Sequence, residues 1–219
     1  MPARLRPTAP IAPEAILVGD PGRSLMLAQE LLQEPKMSNH ARGLWGYTGV
    51  TEAGRELTIQ ATGMGGPSAS VVLADLAELG VRRAVRIGTC ASLGDLGLGQ
   101  LVVAGEAHEA RGAFPSPEAA KAPLPDPGLN EALRERLPGA RAVSVLSLDR
   151  LHRPEHELPA ASAEVADMQT AALLAAAEVH GVAAAAVLVV IEKSGAGPLP
   201  DEDLEAAAKA AGRAAAAVL

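Results

Sequence analysis

The sequence predicts an α/β fold in which helices cover both faces of a sheet, and three observations carry that reading. Short apolar runs alternate with segments of helical spacing along the whole chain. The runs stop at glycine-containing turns, as buried strands do where they feed helices. The interior has to be aliphatic, because apolar residues make up 48% of the 219 residues while Trp45, Tyr47 and Phe114 are the only aromatics. With a mean hydropathy of +0.16 the chain can bury a full core, and its length suits a single domain over residues 1–219.

Each element follows from its local pattern. Ala15–Val18 is an apolar run that ends at Gly19-Asp-Pro-Gly22, a strand running into a turn. Ser24–Gln33 carries Leu25, Leu27, Ala28, Leu31 and Leu32 on a helical stripe. Leu57–Ala61 is a second strand, ending in Gly63-Met-Gly-Gly-Pro67. The helix after it places Pro67 in its first turn, repeats Val71, Val72, Leu76 and Leu79, and stops at Gly80. Ala84–Ile87 and Leu101–Ala104 read as strands, the first ending at Gly88-Thr-Cys-Ala-Ser92. Gly112–Gly128 holds five prolines and reads as a loop. Leu129–Leu137 reads as a helix, Ala142–Leu146 as a strand and Val165–Val179 as a helix. Val182–Ile191 is a strongly apolar strand, and Asp201–Leu219 an alanine-rich closing helix whose acidic head, Asp201–Asp203, suits capping and dipole compensation. No internal repeat occurs.

Composition excludes several classes of function. A net charge of −7 argues against a global grip on nucleic acid. One cysteine leaves no disulfide framework and no cysteine-based zinc site. The longest apolar run has ten residues, too short for a bilayer, and the basic N-terminus has no apolar signal core. The expectation is a cytoplasmic protein with no membrane partner.

The chemistry collects at strand ends. Gly19-Asp-Pro-Gly-Arg23, Gly63-Met-Gly-Gly-Pro67 and Arg86-Ile-Gly-Thr-Cys90 each follow an apolar strand, and ligands of open α/β sheets sit beyond the carboxyl ends of strands. Glycines there let backbone N–H groups approach an anion. Arg23, Arg86 and the Thr89 hydroxyl add donors suited to phosphate. The same residues also fit ordinary turns with solvated arginines, a reading that Arg86 fits worst because it interrupts an apolar run. Neither the dinucleotide glycine pattern nor a Gly-Lys-Ser/Thr phosphate loop is present.

Four segments occur in an order that resembles the nucleoside phosphorylases of the hexameric purine/uridine phosphorylase type: Leu17-Val-Gly-Asp-Pro-Gly-Arg23, Arg42-Gly-Leu-Trp-Gly-Tyr-Thr-Gly49, Gly63-Met-Gly-Gly-Pro-Ser68 and Val85-Arg-Ile-Gly-Thr89. The likeness is dense from Ala15 to Val103 and resumes at Asp167-Met-Gln-Thr-Ala171. The resemblance implies a three-layer α/β/α sandwich with a mixed sheet, assembled as a hexamer or dimer. It implies phosphorolysis: phosphate attacks the anomeric carbon as the glycosidic bond breaks, giving free base and ribose 1-phosphate, with phosphate as co-substrate and no cofactor. Gly19, Arg23, Arg86 and Thr89 would hold phosphate, and Arg42 would reach the phosphate of a neighbouring subunit. Met64, Cys90, Leu151, Asp167, Met168 and Gln169 would face ribose and base.

The chain departs from the family at the nucleoside end. Gln169 stands where the family has a glutamate, so it can hydrogen-bond but adds no charge. Leu151 and His152 take the places of an aromatic pair. The Gln-x-Arg pair that reads uracil in uridine phosphorylases is not apparent, and Glu155-His-Glu157 lies nearby instead. Purine-type members place an aspartate general acid after the last strand, where this chain has Glu192 and Lys193. No histidine precedes His40, so Arg4 or Arg6 would replace the family's N-terminal histidine, or nothing does. The leading expectation is a purine-preferring phosphorylase with Glu192 as proton donor. A uridine phosphorylase, a weak or inactive phosphate-binding paralogue and a hydrolytic nucleosidase are the alternatives. Cys90 reads as a buried inert thiol, His108 as structural, and the pair His152 and His156 lacks a third metal ligand.

Overall fold

A computed structural model describes residues 4–109, 122–149 and 163–219. The strands are β1 (Glu14–Val18), β2 (Gln33–Asn39), β3 (Gly46–Val50), β4 (Glu56–Ala61), β5 (Arg83–Ser92), β6 (Leu101–Glu109), β7 (Arg141–Ser147), β8 (Val165–Asp167) and β9 (Ala183–Lys193). The helices are α1 (Pro21–Leu31), α2 (Gly66–Glu78), α3 (Pro127–Arg136), α4 (Thr170–His180) and α5 (Asp201–Val218). Every strand run expected from the sequence is present.

The sheet is mixed. β1 lies between β4 and β5, parallel to both, and the antiparallel pair β2–β3 extends the β4 side to an edge. On the other side the strands close on themselves: β5 pairs with β9, β9 with β6, β6 with β7, β7 with β8, and β8 returns to β5. Closure removes edges that would otherwise expose unpaired backbone groups.

Alternation along the strands assigns the two faces. Ile16 and Val18 of β1, with Val85 and Ile87 of β5, pack into the core under α1, α3 and α5. Ala15 and Leu17, with Ala84 and Cys90, pack into the core under α2 and α4. Arg86 lies between Val85 and Ile87, and its register partner on β1 is Leu17, so it projects toward the α2 and α4 side. The buried core is alanine, valine and leucine almost throughout, with Tyr47 its one aromatic among the described residues.

Local readings change in five places. Helix α1 begins at Pro21, because the Asp20 carboxylate accepts from Gly22 N at 2.8 Å and caps it, and it ends at Leu31. Gln33 then opens β2; this strand and β3 have no alternating pattern to mark them, since β2 is mostly polar and β3 is glycine-containing. Val165–Asp167 is strand β8, and the helix starts only at Thr170. β5 runs on through Gly88 and Thr89 to Ser92 because β9 and β8 pair with that extension. At the head of α5, Asp201, Glu202 and Asp203 occupy the first turn, while the capping position is Pro200 with no side-chain cap, so they compensate the dipole only.

Candidate active site

The carboxyl ends of β1, β4 and β5 meet the head of α4 around a cavity of about 690 Å³. Gly19, Arg23, Arg42, Met64, Arg86, Thr89, Cys90, Asp167, Met168, Gln169 and Glu192, eleven of the twelve residues singled out from the sequence, line it. The twelfth, Leu151, lies outside the described residues, as do His152 and His156. Among the described residues no group of three or more His, Cys, Asp or Glu could hold a metal ion, and no helix is long and apolar enough to cross a membrane.

Arg86 is the centre of the floor and is only 4% exposed. Its Nη2 pairs with Asp167 Oδ2 at 3.0 Å, Nη1 donates to Gln169 Oε1 at 2.6 Å, and Nε donates to Thr170 Oγ1 at 3.3 Å. The guanidinium lies against Gly88, where a Cβ would stand 2.5 Å from Nη2, so this position has no room for a side chain. Asp167 is fully engaged as well. Its carboxylate accepts from Ser147 Oγ at 2.6 Å, Thr170 Oγ1 at 2.6 Å and Thr170 N at 3.0 Å, which also caps the first turn of α4. A buried charge of each sign is thereby paired and hydrogen-bonded, as burial demands.

Arg23 differs. It stands in the first turn of α1, half-buried, with no hydrogen-bond partner among the described residues. Burial pushes its pKa below the ordinary arginine value; Asp20 raises it in part, and the charge of Arg86 lowers it further. Two guanidinium groups thus face one space at the positive end of a helix. The Thr89 hydroxyl makes no hydrogen bond among the described residues and lines the same space. Asp20 brings a negative charge to this side but spends one carboxylate oxygen on the cap.

Arg42 is exposed at the rim of its own chain's cavity. Its backbone is left-handed, with φ of 60° and ψ of 18°, a conformation that costs a non-glycine residue about 1–2 kcal/mol. Of its aromatic neighbours, Trp45 is 37% exposed, but Tyr47 is buried in the core and so is not part of an exposed segment.

The rest of the lining includes an aliphatic part: Leu44, Leu93, Leu148, Ala166 and Ile191, with the Cys90 thiol. Burial, with the Asp167 charge adding to it, pushes that thiol up to about 12, against a smaller opposing effect of Arg86. Cys90 is therefore a protonated wall residue. A bulge in β9 opposite Cys90 and Ala91 inserts one extra residue, which places both Ile191 and Glu192 on the cavity. Glu192 is exposed at the mouth, whereas a role as a buried acid requires partial burial. Lys193 turns away to donate to the Asp95 carbonyl at 3.3 Å. Sequence reasoning missed Ser147, Thr62 and Thr170, which support the site without lining it; a hydroxyl at a strand end or helix head was the available signal.

The protein is thus of the α/β class, with a closed mixed sheet between two helix layers and an arginine-bearing cavity at its strand ends. The family model described as the Phosphorylase superfamily matches residues 13–219, and the chain belongs to that superfamily. It is 42% identical over 84 residues to a purine nucleoside phosphorylase, DeoD-type, of Oceanobacillus iheyensis, a stretch covering 38% of this chain and 35% of that protein. Thus only about a third of the relative's length is matched. A uridine phosphorylase structure from Vibrio fischeri superimposes with a TM-score of 0.83 at 22% identity, over 95% of this chain and 92% of that one. A purine nucleoside phosphorylase structure from Toxoplasma gondii, in complex with immucillin-H, gives 0.81 at 21% identity over 95% and 89%. These two likenesses establish the fold.

Proposed function

We propose that this chain is a phosphate-dependent nucleoside phosphorylase that prefers purine nucleosides, releasing free base and a pentose 1-phosphate. The observation that carries the reading is Arg23: a half-buried guanidinium with no hydrogen-bond partner among the described residues, beside Arg86 and a Thr89 hydroxyl likewise unengaged among them, at the N-terminus of α1. Gly19, Arg23, Arg86 and Thr89 hold phosphate there. The sugar lies against Met64 and Met168, above Asp167 and Gln169, and the base takes the aliphatic wall with Cys90. As the glycosidic bond lengthens, the sugar gains positive character and the held anion attacks it, so positioning supplies most of the catalysis. Glu192, exposed at the mouth, gives the proton to the leaving base once a bound nucleoside covers it and supplies the burial that this role needs. Phosphate is the nucleophile and no cofactor takes part. The setting is cytoplasmic, where a free thiol such as Cys90 stays reduced.

The assembly is a dimer or a hexamer of such subunits. Met37, Trp45 and Val50 are exposed along β2 and β3, the edge of the sheet, next to Arg42. This edge is a subunit boundary, and Arg42 crosses it to the neighbour's phosphate.

A panel of nucleosides, assayed for free base with and without phosphate, tests the activity. Release only with phosphate is expected. Equal release without it makes the protein a hydrolase. Arg23→Ala removes a donor that bonds to nothing else among the described residues, so phosphate affinity falls about ten- to hundredfold, the equivalent of about 1.5–3 kcal/mol for a charge-assisted bond. Arg86→Ala is the poorer probe, since it strands the buried Asp167 carboxylate at a cost of about 3–5 kcal/mol in stability. A second reading, a phosphate-binding paralogue with little turnover, is favoured by the exposure of Glu192; phosphate binding with no base released from any nucleoside selects it.

A further inference from the structure

We propose that Gln169 is a positioning residue that clamps Arg86 to the Gly63–Gly65 turn. The inference rests on the phosphate role of Arg86 for its functional consequence, but the clamp itself belongs to the unliganded protein.

Gln169 is 3% exposed. An amide side chain has two N–H donors and two acceptor lone pairs, and both donors and one lone pair are used. Oε1 accepts from Arg86 Nη1 at 2.6 Å; the Thr62 hydroxyl also lies 3.3 Å from it, but its single hydrogen has the Val18 carbonyl closer, at 3.1 Å. Nε2 donates to the Gly63 carbonyl at 2.6 Å and to the Gly65 carbonyl at 3.3 Å. Its partners fix which way the amide points. A guanidinium only donates, so the oxygen must face Arg86; carbonyls only accept, so the nitrogen must face the turn. The clamp joins three segments that are distant in sequence: β5, the turn between β4 and α2, and the head of α4. Gly63 and Gly65 both have positive φ, 73° and 81°, so the turn that carries Met64 depends on glycine at both positions, and the amide ties it to the head of α4. Arg86 retains one N–H on each of Nη1 and Nη2 for a ligand.

A carboxylate cannot replace this amide. It would set an acceptor against two carbonyl oxygens at the distances Nε2 now occupies. It would also give Arg86 a second negative partner beside Asp167. The charged groups that bear on the position are Arg86 on β5 and Asp167 on β8, with Arg23 on α1 and the Cys90 thiol interacting with that pair. A protonated carboxyl is a different matter, since its O–H can donate to the Gly63 carbonyl as Nε2 does.

The test is Gln169→Glu, with thermal unfolding and calorimetric binding of inorganic phosphate measured from pH 5 to 8.5 and expressed relative to wild type. At pH 8 the variant is expected to melt lower and to bind phosphate at least about tenfold more weakly. As the pH falls through the pKa of the new carboxyl, both deficits are expected to close. A deficit that does not change with pH overturns the clamp. So does a variant that gains turnover on ribonucleosides with phosphate affinity unchanged, because that places residue 169 against the sugar. If wild type binds no phosphate, the phosphorolysis reading fails, and the melting curves alone decide the clamp by the same criterion. If Gln169→Glu does not fold at any pH, Gln169→Met serves instead: weakened phosphate binding supports the clamp, and unchanged binding overturns it.

Discussion

Leu17 and Arg86 lie side by side in register on β1 and β5, one inert in the core and the other charged and buried. The difference shows how a single residue becomes a site. Arg86 can be buried because Asp167, Gln169 and Thr170 meet its donors and because Gly88 leaves room for its guanidinium. Gly88→Ala is therefore expected to displace Arg86, costing about 1–3 kcal/mol of stability, typical of overpacking, and weakening phosphate binding in the same calorimetric measurement. Cys90 makes a separate prediction. Its thiol, pushed up to about 12 from an ordinary value of 9.0, stays protonated when folded. Alkylation by iodoacetamide at pH 8, followed by mass spectrometry, should leave Cys90 unmodified in the native protein and label it fully in denaturant. The sign for stability follows: only the unfolded thiol ionises above about pH 9, so the contribution is intact below that and is lost as the pH climbs toward about 12. Arg86 was legible as an oddity in an apolar run; its partners were not, because Asp167 and Gln169 are some eighty positions away.

At the scale of elements, the expected helix over Val165–Val179 divides into strand β8 and helix α4. Local preference reads Val165–Asp167 as helix because the alanine-rich stretch after it is helical. Pairing with β7 and β5 overrides that preference. The consequence is functional, since the turn between β8 and α4 presents Asp167, Met168 and Gln169 to the cavity. Helix α2 must then lie very close to α4: a Cβ at Gly66 would stand 2.8 Å from the Ala172 Cβ. Gly66→Ala gains up to about 1 kcal/mol of helix propensity but drives a rigid methyl into its neighbour, a cost of about 1–3 kcal/mol. The clash is expected to win, lowering the melting temperature in a thermal scan. A Gly66→Ala protein as stable as wild type would mean that α2 and α4 have room to part.

For the molecule as a whole, closure of β5, β9, β6, β7 and β8 leaves β2 as the exposed edge, where Met37, Trp45 and Val50 meet solvent. Sedimentation of the purified protein at micromolar concentration is expected to give a dimer or larger, and Trp45→Glu to shift it toward monomer; a wild-type monomer would refute the subunit boundary. The amino-acid order by itself determined the class of fold, the main strands and helices, an aliphatic core and the arginine- and glycine-bearing strand ends. These are local properties, written in hydrophobic period and in residues with special backbone or charge. Only the tertiary structure decided that β2, β3 and β8 are strands, that the sheet closes, that Glu192 stays exposed, and that Arg86 is occupied by Asp167 and Gln169 while Arg23 has no hydrogen-bond partner among the described residues. Those outcomes depend on backbone pairing and on the balancing of buried charge between segments far apart in the chain, and neither has a signature in the local sequence.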